Sequence, residues 1–335
     1  MRHFLVPLDG SGFGETALAL AAAVAERKGR ALTMVTVRPT TAHPDISATM
    51  SATIETCSRT HAQAYLESAA EQVRRRFNIE LRTAVLEGEA ATGIAEHALA
   101  DPPELIVMST HGRSGPSRLF LGSVADRLVR ELHCPFILVR PSTPPAEVEL
   151  PAAARVLVPL DGSPLAESVL DEVERLFSPG LATLHLVRAV DPVAAFPMGA
   201  PMPLPPMEPE LVEVRRAAAR EYLEGTAWKL RRAGWRVEYK VVTEWRPATA
   251  VLSYAEAHEC DLIAIATRGR GGAQRLFLGS VADKVIRGAA TPVLVVNPAA
   301  GAFSRVLGER WATASGPAGT DVGLLQGAVN ASAGL

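Results

Sequence analysis

The chain has 335 residues, 48% of them hydrophobic and 21% charged, a balance ordinary for a soluble globular protein and long enough for two domains. A formal net charge of −2 leaves no general pull toward nucleic acid or an anionic membrane, so any anion binding has to come from local geometry. The three cysteines, Cys57, Cys134 and Cys260, cannot all pair within one chain and form no CxxC, which predicts free, mostly buried thiols in a reducing cytoplasm.

The first residues, "MRHFLVPLDGSGFGE", carry too short an apolar run for a signal peptide. No stretch approaches the roughly 20 apolar residues of a membrane span. "RHFLVPL" reads as a strand ending in the turn Asp9-Gly10-Ser11. "GETALALAAAVAERKG" is predicted as one helix closed by Gly29, followed by the strand "ALTMVTV". A long loop, "PTTAHPDISATMSATIE", is expected before a second helix around "THAQAYLESAAEQVRRRF". "IELRTAVLEG" alternates as a third strand, and "ATGIAEHALAD" is a helix stopped by Pro102 and Pro103. The strand "ELIVMST", the helix "GSVADRLVREL" and the strand "PFILVRP" complete a βαβαβαβαβ series. Such a series predicts a parallel sheet with helices on both faces.

The series then repeats. "LVPLDGS" at Leu5–Ser11 returns at Leu157–Ser163, shifted by 152 (Asp161 minus Asp9). Nine residues, Arg118–Asp126, recur letter for letter as Arg275–Asp283, shifted by 157 (Asp283 minus Asp126). The expected organisation is a first domain over 1–141, a linker over 142–154, a second domain over 155–298 and a flexible tail over 299–335. A Pro- and Met-rich stretch, Phe196–Pro209, is expected as a loop, with a lid or a partner contact as the sharper alternative.

Ligands of open parallel sheets bind at the carboxyl ends of strands. Asp9 and Asp161 follow the first strand of each half, and a glycine loop follows each fourth strand. Gly112 and Gly115 permit close backbone approach, and Gly122-Ser123 opens a helix whose free N–H groups and dipole favour an anion. Arg113 and Arg118 are placed to add charge-assisted bonds to phosphate. The competing reading makes Ser123 a plain N-cap with Asp126 three residues on, and Asp9 and Asp161 plain turn residues. His111 is matched by Arg268, which argues against a general base there. No Gly-Lys-Ser/Thr is present for a P-loop, and "DGSGFGE" is a weak dinucleotide match. No cluster has metal-ligand spacing, so a divalent ion would arrive with nucleotide phosphates.

The ordered set of "VPLDGS", "LIVMSTHG", Gly112–nine residues–Gly122-Ser123 and "CPFILVRP", with its echo at Gly269–nine residues–Gly279-Ser280, resembles the universal stress protein family. The resemblance implies tandem five-stranded parallel α/β domains and an ATP-sized ligand, with ADP or AMP as alternatives. It implies adenine or ribose contacts from Asp9, Val37 and Met108, and from Asp161, Ala189 and Ile265 in the second half. Phosphate contacts would come from Gly112, Gly115, Gly122, Ser123 and Val124, and from Gly269, Gly272, Gly279, Ser280 and Val281. The family's first glycine falls on Ser109 and on Ala266, both small residues. The last strands are expected to pair within the chain as a pseudo-dimer that brings the two glycine loops near each other, with a homodimer of such chains a further option. The function implied is non-catalytic: a nucleotide-dependent stress-response regulator. The alternatives are a scaffold that has lost its nucleotide and a slow ATPase or adenylyl enzyme.

Overall fold

The computed structural model describes residues 2–40, 47–110, 121–141, 148, 150–151, 153–192, 209–267 and 279–297. The first half runs β1 (His3–Pro7), α1 (Gly12–Glu15), α2 (Leu18–Lys28), β2 (Ala31–Arg38), α3 (Ala48–Arg74), β3 (Leu81–Glu87), α4 (Ala90–Ala100), β4 (Leu105–Ser109), α5 (Ser123–Glu131) and β5 (Phe136–Val139). The second runs β6 (Ala154–Pro159), α6 (Pro164–Leu176), β7 (Ala182–Val190), α7 (Pro209–Arg232), β8 (Arg236–Thr243), α8 (Pro247–Ala257), β9 (Leu262–Ala266), α9 (Ser280–Gly288) and β10 (Val293–Val296).

All ten strands form one sheet in the order β3-β2-β1-β4-β5-β10-β9-β6-β7-β8. Neighbours within each half are parallel, as βα connections require. The one antiparallel pair is β5 with β10, where Ile137 lies opposite Leu294 and Phe136 opposite Val295. The strands flanking this seam are short, apolar and buried, and pairing them removes two open edges.

The core divides by sheet face rather than by half. One buried cluster joins Phe4, Leu20, Leu66 and Ile137 to Val156, Val173, Leu223 and Leu294. The other joins Leu5, Ile106, Leu128 and Phe136 to Leu157, Val251, Val285 and Val295. The segment expected to be a linker contributes to the first cluster. Leu150 is buried in it, Val148 N–H donates to Thr16 O at 3.1 Å, and Arg27 donates to Leu150 O at 2.6 Å and Pro151 O at 3.0 Å.

Two helix expectations need correction. The first helix is broken into α1 and α2 near Thr16, whose hydroxyl turns back to donate to Phe13 O at 2.8 Å. The second half has Pro164 at the first helical turn instead of Gly12, and α6 there is continuous. The second helix starts at Ala48, well before the expected point, because Ser47 caps it by accepting from Met50 N–H at 3.2 Å. Its early turns lie against solvent, so they carry no apolar period to read. Residues 196–208 of the Pro- and Met-rich stretch, the glycine loops over 111–120 and 268–278, and the tail beyond Asn297 lie outside the described residues.

Candidate functional site

β1 and β4 are neighbours whose connections leave toward opposite sides, so the crevice at their carboxyl ends is the switch point of the first half. The predicted residues that the structure describes gather there. Asp9 follows β1, Val37 lies at the end of β2, Met108 and Ser109 end β4, and Gly122, Ser123 and Val124 begin α5. The second half repeats this with Asp161, Ala189, Ile265, Ala266, Gly279, Ser280 and Val281. Gly112, Gly115, Gly269 and Gly272, with His111, Arg113, Arg118 and Arg268, fall outside the described residues.

Each aspartate builds a tight turn. Asp9 Oδ1 accepts from Ser11 N–H at 3.0 Å and from Ser11 Oγ at 2.6 Å; Asp161 Oδ1 accepts from Ser163 at 2.8 and 2.6 Å. Gly10 and Gly162 between them take φ of 79° and 84°, the left-handed region open to glycine. The serines then cap the following helices, accepting from Gly14 N–H and Ala166 N–H at 3.1 Å. Half-buried Asp9 and Asp161 are thus turn residues, standing at the carboxyl ends of β1 and β6.

Beyond each fourth strand the chain returns to its own starting point. Thr110 N–H donates to Val139 O at 2.8 Å, and Gly122 N–H donates to Thr110 O at 2.8 Å. Thr267 and Gly279 repeat the arrangement at 2.9 and 2.5 Å. The loop ends are therefore pinned at the strand tips. Ser109 and Ala266, where the family pattern has glycine, are buried and absent from the positive-φ residues. A small side chain fits there without left-handed strain.

The capping-box reading of the α5 start is overturned. The N-cap of α5 is Gly122 and that of α9 is Gly279, so neither helix is capped by the side chain of its N-cap residue. Ser123 and Ser280 are the first helical residues and are exposed. Asp126 turns instead to Arg130, at 2.9 and 3.0 Å, and Asp283 to Arg287 at 2.9 Å. The acids stabilise the helices through i,i+4 pairs instead of serving the first-turn N–H groups.

The two crevices do not adjoin. Antiparallel pairing of β5 with β10 sends the carboxyl ends of β4 and β9 to opposite edges of the sheet. α5 and α9 cross the seam head to tail, with Arg287 Nη2 at 3.8 Å from Asp126 Oδ1 and the Arg140 guanidinium donating to Arg287 O. The anchors Gly122 and Gly279 thus stand at opposite ends of this helix pair; the glycine loops expected to neighbour each other lie outside the described residues.

Sequence reasoning missed a duplicated tyrosine–glutamate pair beside the turns. Tyr65 donates to Glu15 Oε1 at 2.9 Å, and Tyr222 to Glu167 Oε1 at 2.7 Å. Burial first, and the carboxylate second, push both phenols well above their usual range. The signal was available: the glutamates are 152 apart and the tyrosines 157 apart, the two offsets of the repeat. In the second half Arg188 adds a guanidinium over the Tyr222 ring at 4.9 Å. An open groove of about 450 Å³ lined by Glu167, Tyr222, Thr226 and Lys229 lies between α6 and α7, and it holds none of the predicted residues.

The halves differ at the start of the helix after the third strand. Glu89 caps α4, accepting from Ala91 N–H at 3.1 Å, Thr92 N–H at 2.9 Å and Thr92 Oγ1 at 2.6 Å, and pairs with Arg127 at 2.6 Å. The Thr92 hydroxyl, helped by the two amides and Arg127, holds its carboxyl down at about 2. Arg246 takes this place in the second half and caps nothing. Burial pushes the Cys134 and Cys260 thiols up to about 12 and about 11, while Cys57 is exposed. Among the described residues no group of His, Cys, Asp and Glu has metal-site geometry, and no helix is long and apolar enough to cross a membrane.

A family model described as the Universal stress protein family matches residues 1–140 and 153–297. Universal stress protein Rv1996 of Mycobacterium tuberculosis is 30% identical over 325 residues, covering 88% of this chain and 94% of its own. Among solved structures, a universal stress protein from Archaeoglobus fulgidus superposes with a TM-score of 0.61 at 19% identity, over 88% of this chain and 98% of that one. A putative universal stress protein from Pseudomonas aeruginosa superposes with a TM-score of 0.63 at 16% identity, over 92% and 98%. With both halves matched in sequence and the α/β fold shared, this chain belongs to the universal stress protein family.

Proposed function

We propose that the chain binds an adenine nucleotide, ATP before ADP or AMP, at the switch point of each half, and that occupancy sets its action as a cytoplasmic stress-response regulator. The observation that carries this reading is the pair of helix starts at Gly122 and Gly279, whose N-cap is a glycine without a side chain to occupy the first-turn N–H groups, and which stand against the tips of β4 and β9. Their first-turn N–H groups and dipoles suit phosphate. Val37 with Met108, and Ala189 with Ile265, offer apolar surface for the base, and Asp9 and Asp161 offer a carboxylate to its ribose or amine. By the family resemblance, Ser109, Gly112 and Gly115, and Ala266, Gly269 and Gly272, would supply further phosphate contacts. A divalent ion enters with the phosphates.

Calorimetry on nucleotide-free protein tests the proposal. ATP is expected to bind, and Gly122→Asp or Gly279→Asp to abolish one site each. Gly122 and Gly279 have φ of −55° and −58°, which aspartate adopts without strain, so its carboxylate would occupy the same N–H groups and repel phosphate. Absence of heat with ATP, ADP and AMP would overturn it.

The scaffold reading has one observation in its favour. Ile54 on α3 and Leu211 on α7, 157 residues apart, are both exposed, and Met50 and Val214 extend the apolar surface on their own helices. Mass spectrometry for retained nucleotide separates the two readings.

A further inference from the structure

The repeat makes each half a control for the other, and at the rim of the crevice the charges are inverted. In the first half Glu89, Arg127 and Glu131 form a closed chain: Arg127 Nη1 lies 2.6 Å from Glu89 Oε2, and its Nε lies 2.7 Å from Glu131 Oε1. Advancing each position by 157 gives Arg246, Lys284 and Gly288. One cation between two carboxylates becomes two cations with neither carboxylate.

A Cβ on Gly288 would stand 2.6 Å from Leu252 Cδ1, the far end of a side chain that would have to turn aside, where the first half has the smaller Ala95. The charge of Arg246 is not cancelled by a rearranged partner among the described residues. Its guanidinium lies 4.2 Å over the ring of Trp245, a residue 58% exposed, and Glu244 uses its Oε1 to accept the Arg246 backbone N–H at 3.0 Å. Lys284 is exposed, one turn along α9 from Ser280. Arg127, on the equivalent turn of α5, reaches Glu89 at the start of α4, and both helix starts follow the carboxyl ends of their strands, β4 and β3, the side of the sheet on which the crevice lies.

We propose that the two halves discriminate nucleotides by phosphate number: the second-half site, with Arg246 and Lys284 on its rim, favours the triphosphate over the monophosphate far more strongly than the first-half site, whose rim carries Glu89. The inference rests on nucleotide binding as read above and adds a specificity to it. Each added phosphate brings negative charge to the rim. Two cations without a carboxylate between them attract that charge, whereas Glu89 repels it and has already engaged Arg127.

Half-site variants test it. Gly279→Asp leaves the first site and Gly122→Asp leaves the second; AMP, ADP and ATP are titrated into each by calorimetry at low and high ionic strength. The ratio of ATP to AMP affinity is expected to be at least about tenfold larger for the second site, and the gap to narrow with salt. Adding Arg246→Glu to Gly122→Asp re-creates the Glu89 arrangement, with a carboxylate able to cap α8 and pair with Lys284. That variant is expected to melt no lower than its parent and to keep its AMP affinity while its ratio falls to that of the first site. Equal ratios in the two halves overturn the inference and leave nucleotide binding standing. So does an Arg246→Glu variant that loses AMP and ATP affinity in equal proportion, which would make Arg246 a general support of the site. No binding at either half overturns the nucleotide reading and this inference with it.

Discussion

Glu172 shows how much a single buried position can decide. It sits on α6 with 4% of its surface exposed, 3.1 Å from the Arg175 guanidinium. Burial pushes its carboxyl up to about 7, against the opposing pull of Arg175. The folded state therefore favours the protonated form. The associated stability is fully present below the ordinary carboxylate value of about 4.3 and is lost as pH rises toward about 7. Glu172→Gln is expected to stabilise the chain on the order of 2 kcal/mol at pH 8 and to have little effect at pH 4, measured by denaturant unfolding at both values. Sequence periodicity puts Glu172 on the helix face of Val169, Val173 and Leu176, but an acid at such a position is ordinarily assigned to solvent, so its burial is not legible from residue type. The turn residues were more legible. Asp-Gly-Ser specifies its own geometry within three residues, so Asp9 and Asp161 could be placed without knowing any neighbour.

At the scale of elements, the starts of helices separate what was readable from what was not. Ser11, Ser47 and Ser163 cap α1, α3 and α6 in the way their residue type predicts. Ser123 and Ser280 do not, because the helix begins one residue earlier than the capping pattern implies and Asp126 and Asp283 have arginine partners one turn ahead. Glu89 is the reverse case, an acid that caps α4 although glutamate is not a favoured cap residue. Glu89→Ala is expected to destabilise the chain by about 1 kcal/mol, whereas Arg246→Ala, at the matching start of α8, removes no cap and is expected to change stability by less than half as much. Thermal melts of the two variants check this. The Glu89 contribution should be present above about pH 4.3 and fade as pH falls toward about 2, since its folded value is depressed.

For the whole molecule, the seam between β5 and β10 governs behaviour. Both buried clusters run across it, and the segment between the halves is anchored on α2 through Arg27, Val148 and Leu150. Arg287 meets Asp126 across the seam, and Asp283 in turn faces Arg130 electrostatically. Halves joined this way should not melt independently. A single calorimetric transition is expected for the full chain, with the van't Hoff enthalpy close to the calorimetric one. Leu294→Asp, which buries a carboxylate opposite Ile137, is expected to lower its midpoint and split it. A wild-type melt in two resolved steps would show that the seam does not couple the halves.

The sequence by itself determined the duplication, the alternation of strands and helices, the turns after β1 and β6 and the place of the crevices at strand ends. These depend on local propensity and on spacing within a few dozen residues. The pairing of the last strands, expected through the family resemblance, is what the structure shows at β5 and β10. Only the tertiary structure decided that the cores are shared across the seam and that the carboxyl ends of β4 and β9 point to opposite ends of the strands. Those outcomes depend on which edges meet and in which direction, as Ile137 meets Leu294. Such contacts join residues far apart in the chain, and no local pattern records them.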